Sequence, residues 1–166
     1  MIDEEGWLHT GDVGEFVDKI FLKITDRKKE IFKLSIGKYI APQVIENKLK
    51  ESSFIENVMV IGENQKVASA IIVPGLTQVR SWAQQQGLTF ADDQELITLP
   101  ETIRLINKEV DIINRTLAPH EQIRKPRLVT DDWTPLNGFL SQTLKLKRSV
   151  LNKHYISLIN EIYKNE

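Results

Sequence analysis

The chain has 166 residues, no cysteine, 41% hydrophobic residues and a net charge of -1. At about 150 residues per domain, this length allows one domain, or one with a small appendage, and excludes a two-domain enzyme. The absence of cysteine excludes disulfides, a thiolate nucleophile and cysteine-ligated zinc, and the balanced charge gives no reason to bind nucleic acid. No apolar run approaches the roughly 18 residues of a membrane span, and the acidic start differs from an export signal.

The charges are distributed unevenly along the chain. Residues 1–18 contain six acidic residues and no lysine or arginine, whereas residues 19–50 contain nine basic and three acidic residues. The second stretch is a candidate anion-binding face. The alternative is a solvated hairpin surface in which lysines protect exposed strand edges.

The first half of the chain predicts two hairpins followed by a helix. Residues 14–25 read as two strands joined through Asp18-Lys19, and residues 31–34 and 38–40 as two more, with Gly37 in the turn. Pro42 suits the first turn of a helix, which we expect to run to about residue 51.

The middle of the chain predicts a further hairpin and then helices. Apolar strands are expected at 57–61 and 67–73 around a turn at Gly62. A helix over 77–86 should follow, and a long helix should begin at Pro100, because apolar residues recur there at three- and four-residue spacing.

The remaining chain predicts a strand at 127–129, a loop over 131–143 and one final helix. Hairpins and helices without regular βαβ alternation indicate an α+β fold, with small antiparallel sheets packed against helices. The apolar face of the final helix consists of Val150, Leu151, Tyr155, Leu158, Ile159 and Ile162.

Three segments carry more information than their hydrophobic pattern. The first is a glycine-bracketed turn ending in Asp12, and the second is a basic run over 26–33 followed by Gly37. The third is a polar loop that delivers Lys145 at the start of the last helix. Their sequences are Gly6-Trp7-Leu8-His9-Thr10-Gly11-Asp12, Asp26-Arg27-Lys28-Lys29-Glu30-Ile31-Phe32-Lys33 and Ser141-Gln142-Thr143-Leu144-Lys145-Leu146-Lys147-Arg148.

In this order and spacing the segments resemble the adenylate-forming superfamily of acyl-CoA synthetases. The closest resemblance is to the C-terminal domain of bacterial long-chain fatty-acid CoA ligases, and it covers nearly the whole chain. The third segment departs from the family pattern, because Ser141-Gln142 stand where Thr-Pro is commoner and Phe139 replaces an acidic residue.

The resemblance implies a two-step ligation in which ATP activates a carboxylate and coenzyme A displaces AMP. It implies that Asp12 accepts the ribose hydroxyls, a role that suits an ionised carboxylate on a rigid turn. It places Arg27 at the ribose or phosphate region. It also makes Lys145 the catalytic lysine, because a cation aimed at the α-phosphate oxygens stabilises the transition state beyond the ground state.

The resemblance also implies that this small domain rotates between the two half-reactions. It makes Lys29 the hinge and places Lys33 and Gly37 on the second nucleotide-facing surface. Residues 1–26 would then be the end of a large-domain motif with a hairpin leading to the hinge. Residues 27–166 would be the C-terminal lid domain, with a helical insertion at about 75–120.

The implied ligands and partners are those of a full-length ligase. They are long-chain fatty acid, ATP or AMP, coenzyme A and Mg²⁺, the last together with a large N-terminal adenylation domain that the chain lacks. The resemblance implies a cytoplasmic enzyme whose full-length form could touch a membrane peripherally. The chain is expected to be an excised domain with negligible activity alone. No protein metal site and no nucleic-acid partner are expected.

Other interpretations remain open. The chain could be a stand-alone, non-catalytic regulatory module, or part of a ligase for another carboxylate such as an aryl or amino acid. The coding sequence upstream of Met1 would separate module from fragment.

Taken singly, the candidate residues also have structural interpretations. Asp12 could cap its turn, Lys29, Lys33 and Lys145 could be solvated, and Glu46 could pair with Lys50 on its helix. The three histidines are expected not to be catalytic, and the three tryptophans to be packing groups.

Overall fold

The computed structural model describes residues 2–27 and 30–164, with residues 13 and 23–27 described by their backbone alone. Strands β1 (Asp12–Val17) and β2 (Phe21–Arg27) form an antiparallel hairpin. Asp18 and Lys19 have φ angles of 53° and 59°, which the tight turn requires at both central positions. The predicted hairpin is confirmed.

A short second hairpin and a helix follow. Strands β3 (Phe32–Lys33) and β4 (Tyr39–Ile40) pair antiparallel across a turn in which Gly37 has a φ of 84°. Helix α1 (Pro42–Leu49) begins at the proline, whose fixed φ favours the first helical turn. Both predicted elements are confirmed.

The central sheet has three strands in the order β5-β6-β7. Strands β5 (Ile55–Ile61) and β6 (Ser69–Pro74) are antiparallel, as predicted, and β5 is an edge strand. Strand β7 (Arg127–Leu128) pairs with β6 in parallel. The sequence pattern indicates the strand but not this pairing, because the direction depends on the helical connection that brings the chain back.

Within residues 2–27 and 30–164, six helices pack on the two faces of this sheet. Between β6 and β7 lie α2 (Leu76–Gln85), α3 (Asp93–Thr98) and α4 (Pro100–Asn114). The helices thus lie where a helical insertion is predicted. The division of the chain into a large-domain end and a lid domain stays a prediction.

The expectation of one final helix is wrong. Helices α5 (Arg148–His154) and α6 (Ile156–Tyr163) are separated at Tyr155, which has φ -96° and ψ 16°. The Tyr155 hydroxyl accepts a hydrogen bond from Trp133 Nε1 at 2.9 Å and donates to Asp131 Oδ2 at 2.9 Å. These bonds to the preceding loop hold the tyrosine buried at the break.

The sheet is buried on both faces, because alternate residues of β5 and β6 point to opposite sides. Helices α1 to α4 cover one face, and the loop over 131–147 with α5 and α6 covers the other. The first cluster includes Ile45, Leu49, Val58, Val60, Ala70, Ile72, Val79, Leu96, Ile106 and Val110. The second includes Met59, Ile61, Ile71, Val73, Trp133, Leu140, Leu151, Tyr155 and Ile162.

The tryptophans differ in their surroundings. Trp133 is buried and Trp82 packs against the first cluster, as expected of packing groups. Trp7 is 70% exposed, so the expectation is wrong for this residue. It lies in a local turn closed by Asp3, whose Oδ1 accepts from Trp7 N–H at 2.8 Å, and this turn joins neither cluster. In the described part of the chain no helix is long and apolar enough to cross a bilayer.

Candidate functional site

Lys145 lies in a tight, hairpin-like loop that precedes α5. Leu140 and Leu146 form an isolated antiparallel bridge, and Ser141 N–H donates to the Lys145 carbonyl at 2.8 Å. Ser141 Oγ accepts from Lys145 N–H at 3.1 Å, and Leu144 takes a φ of 58°. We call residues 140–147 the lysine hairpin. Ser141, which departs from the family pattern, therefore helps to shape the lysine hairpin.

The Lys145 side chain is exposed and lines a cavity of about 230 Å³. Glu30, Glu46 and Arg148 line the same cavity. None of the described side chains forms an ion pair with the Lys145 ammonium. The ammonium is therefore available to an anion that approaches from outside this domain.

A charged cluster stands beside Lys145 at the edge of β5. Arg148 Nη2 donates to Glu46 Oε2 at 2.6 Å, and its Nε donates to Glu30 Oε2 at 3.2 Å. Glu30 also accepts from the Gln43 amide, and Glu46 Oε1 accepts from Val60 N–H at 2.7 Å. We call Glu30, Gln43, Glu46 and Arg148 the Arg148 cluster. It joins the second sequence motif to the third.

Burial dominates the titration of Glu46. Its side chain is 5% exposed, and this desolvation raises the pKa of the carboxyl, although the Arg148 guanidinium and Val60 N–H act in the opposite direction. Burial also disfavours the charged form of Arg148, but Glu46 and Glu30 outweigh it and raise the pKa of the guanidinium. Arg148 therefore stays charged at any ordinary pH.

Asp12 and Arg27 are brought together by the first hairpin. They are directly opposed on β1 and β2, so a position in the first motif faces the start of the second. Asp12 is exposed, and its N–H donates to Thr10 Oγ1 at 3.2 Å. The backbone register thus places these two candidate positions side by side.

Lys33 and Gly37 lie in the β3-β4 hairpin, away from the lysine hairpin in the chain. The Lys33 ammonium is 5.6 Å from the centroid of the Tyr39 ring, a cation–π contact on an exposed surface. Lys33 does not line the Lys145 cavity. The structure therefore does not bring the two lysines together in this cavity. The proposed hinge residue, Lys29, lies outside the described residues.

The sequence interpretation missed the Arg148 cluster. The suggested Glu46–Lys50 pair is wrong, because the Glu46 carboxylate is taken by Arg148 and Val60. A signal was present: the buried face of α1 is Pro42, Ile45, Glu46 and Leu49, so a carboxylate occupies a core position of an amphipathic helix. Such a group needs a buried partner, but the pattern does not say which one.

None of the described parts of the chain offers a group of three or more metal-ligating His, Asp or Glu side chains. The described residues therefore offer no such ligand set for the Mg²⁺ that the resemblance implies.

A family model described as the AMP-binding enzyme C-terminal domain matches residues 29–166. The chain belongs to this family. A relative from Homo sapiens, long-chain-fatty-acid–CoA ligase 1, is 38% identical over 165 residues, which are 98% of this chain and 24% of that protein. The resemblance inferred from the motifs is thereby confirmed. The chain spans about a quarter of the length of the curated relatives it matches.

Solved structures show the same fold for this member of the family. The adenylation domain of a carboxylate reductase from Mycobacterium chelonae superposes with a TM-score of 0.80 at 25% identity, over 99% of this chain and 24% of that one. A carboxylic acid reductase domain from Segniliparus rugosus, in complex with AMP and a carboxylic acid, gives 0.79 at 23% identity over 98% and 24%. The predicted α+β class is confirmed.

Proposed function

We propose that this domain is the mobile C-terminal part of an AMP-forming ligase that joins a long-chain fatty acid to coenzyme A. The observation that carries the proposal is the placement of Lys145. It is an exposed ammonium on a structured hairpin, with no ion pair among the described side chains, in a domain of the AMP-binding family. The long-chain substrate is inferred from the name of the human relative.

In the first half-reaction a carboxylate oxygen attacks the α-phosphorus of ATP. A bond forms between this oxygen and phosphorus, the bond to the bridging oxygen breaks, and pyrophosphate leaves with the electron pair. Negative charge grows on the non-bridging oxygens, where the Lys145 ammonium would stabilise it. Asp12 would accept hydrogen bonds from the ribose hydroxyls, and Arg27 opposite it would contact the ribose or phosphate.

In the second half-reaction the thiol of coenzyme A attacks the acyl carbon of the adenylate. A carbon–sulfur bond forms, the bond between the acyl carbon and the phosphate oxygen breaks, AMP leaves with that electron pair, and the thiol proton passes to solvent. Rotation at Lys29 would withdraw Lys145 and bring the surface with Lys33 and Gly37 to the nucleotide. The position of these two residues in a hairpin apart from the Lys145 cavity supports such a two-sided lid.

The same proposal includes coenzyme A, Mg²⁺ and a large N-terminal domain. A peripheral membrane contact and a cytoplasmic location stay predictions. A ligase for an aryl or amino acid is the competing substrate class. Fatty acids of different chain lengths, benzoate and amino acids offered to the full-length enzyme would separate the classes by the adenylate each one forms. Release of pyrophosphate only with benzoate or an amino acid would contradict the long-chain assignment.

The role of Lys145 can be tested in the full-length enzyme by separating the two half-reactions. Lys145→Ala should slow adenylate formation about 10²- to 10³-fold, the loss expected for a preorganised transition-state charge. Thioester formation from supplied acyl-adenylate should be spared. Pyrophosphate exchange reports the first step, and release of AMP from the adenylate reports the second.

Lys153→Ala is the matched control, because Lys153 is an exposed lysine on α5. It should leave both steps unchanged. Equal losses in both steps for Lys145→Ala would contradict the proposal. The 166-residue chain alone is expected to make no acyl-CoA.

A further inference from the structure

Arg148 follows Lys145 by three residues and begins α5 at the outer edge of β5. Its guanidinium contacts Glu46 on α1, Glu30 after the proposed hinge, and the Val60 carbonyl at 3.5 Å. Helix α1 lies on one face of the sheet and the lysine hairpin on the other. Arg148 therefore ties the lysine hairpin to both segments across the strand edge.

The charges of the Arg148 cluster do not balance. One guanidinium faces two carboxylates, and Glu46 is almost fully buried while Glu30 is 26% exposed. Without Arg148, both carboxylates would remain beside the cavity that Lys145 lines. A buried carboxylate without a paired cation attracts a nearby ammonium strongly, and lysine is a point charge on a flexible stem. Lys145 lines this cavity together with Lys50.

We propose that Arg148 is a positioning residue for Lys145. By occupying Glu30 and Glu46 together, it anchors the lysine hairpin and prevents these carboxylates from capturing the Lys145 ammonium. The ammonium then stays directed toward the phosphate. Glu30 follows the proposed hinge by one residue. Because Arg148 joins Glu30 to the lysine hairpin, rotation at the hinge moves Glu30 and the lysine hairpin together as one unit. This inference rests on the role proposed above for Lys145.

The test uses the full-length enzyme and compares removal of the guanidinium with removal of the acids as well. Arg148→Met leaves both carboxylates without their guanidinium and should slow adenylate formation about 100-fold, the loss expected when a catalytic group is displaced by about 1 Å. Thioester formation from acyl-adenylate should be unchanged. Adding Glu30→Gln and Glu46→Gln removes the competing charges, while the new amide oxygen on α1 can still accept from Val60 N–H.

The triple variant should therefore form adenylate about tenfold faster than Arg148→Met. A merely structural role would also gain from neutralising the two carboxylates, but it predicts that Arg148→Met slows both half-reactions together rather than adenylate formation alone. A triple variant no faster than Arg148→Met would overturn the proposal. Arg104→Met, which removes an exposed guanidinium paired with Glu101, is the matched control and should be unaffected.

If Arg148→Met does not fold, Arg148→Lys keeps the charge but holds one carboxylate at a time. It should slow adenylate formation, and the added Glu30→Gln should restore the rate; no restoration would overturn the proposal. Lys145→Met separates the two hypotheses. Normal adenylate formation by that variant would refute the role of Lys145 itself, whereas a slow Lys145→Met with no rescue would refute only the role of Arg148.

Discussion

Arg148 and Glu46 are 102 residues apart in the chain, and their side chains meet at 2.6 Å beside the edge strand of the central sheet. One begins a helix on one face of the sheet and the other lies on a helix of the opposite face. Glu46 also accepts from the Val60 N–H. This pair therefore joins both hydrophobic clusters, and its removal should affect stability as well as catalysis.

Glu46→Ala should lower the free energy of unfolding by about 3–5 kcal/mol, because it leaves the Arg148 guanidinium and Val60 N–H without their buried acceptor. Glu46→Gln should cost less, since its amide oxygen still accepts. Urea unfolding measures both. Glu101→Ala breaks an exposed arginine pair and should change stability by no more than about 0.5 kcal/mol. Equal losses at the two sites would show that the Glu46 pair contributes no more than a surface pair.

Tyr155 should make the chain less stable in alkali. Burial raises its pKa above the ordinary value of 10.0, so above about pH 10 the unfolded chain loses a proton that the folded chain retains. The contribution of Tyr155 to the free energy of unfolding is fully present below that pH. It falls as the pH rises, by up to about 1.4 kcal/mol per pH unit. Unfolding in urea between pH 8 and 11 measures the slope. Tyr155→Phe should remove this component, and Tyr39→Phe, at an exposed site, should not.

Phenylalanine at position 155 should also destabilise the chain at neutral pH. The substitution leaves Trp133 Nε1–H without its acceptor in a buried site, at a cost of about 1–3 kcal/mol. An unchanged stability at pH 7, together with an unchanged alkaline slope, would contradict the assigned hydrogen bonds.

Gly62 should tolerate a side chain less well than Gly87. Both have positive φ, but a Cβ on Gly62 would lie 2.8 Å from the Val67 carbonyl oxygen, whereas a Cβ on Gly87 would meet nothing within 4 Å. Gly87→Ala should cost about 1–2 kcal/mol from backbone strain. Gly62→Ala should cost about 3 kcal/mol or more, because steric overlap is added. Thermal unfolding of the two variants tests the order.

Lys33→Ala should affect the half-reaction opposite to the one that Lys145 serves. If the β3-β4 hairpin forms the second nucleotide-facing surface, loss of this ammonium should slow thioester formation about tenfold, the equivalent of one charge-assisted contact. Adenylate formation should be unchanged in the full-length enzyme. Lys38→Ala in the same hairpin is the control. Slower adenylate formation with normal thioester formation would contradict the placement of Lys33 on the second nucleotide-facing surface.

Much of the fold can be predicted from the sequence because its signals are local. The turn at Asp18-Lys19, the proline at the start of α1 and the apolar spacing of α4 each depend on residues a few positions apart. The same is true of the lysine hairpin, whose polar residues predict a loop before α5. The motif order also predicts the family correctly.

The long-range relationships needed the tertiary structure. The amino-acid order by itself determined the α+β class, most elements and the position of Lys145 before α5. Only the folded chain decided that β7 runs parallel to β6 and that the predicted final helix breaks at Tyr155. It also decided that the Glu46 carboxylate pairs with Arg148 and not with Lys50. The physical reason is separation: helix, strand and turn preferences arise between neighbours in the chain. A buried carboxylate, in contrast, selects its partner from whatever the packed sheet brings within hydrogen-bonding distance.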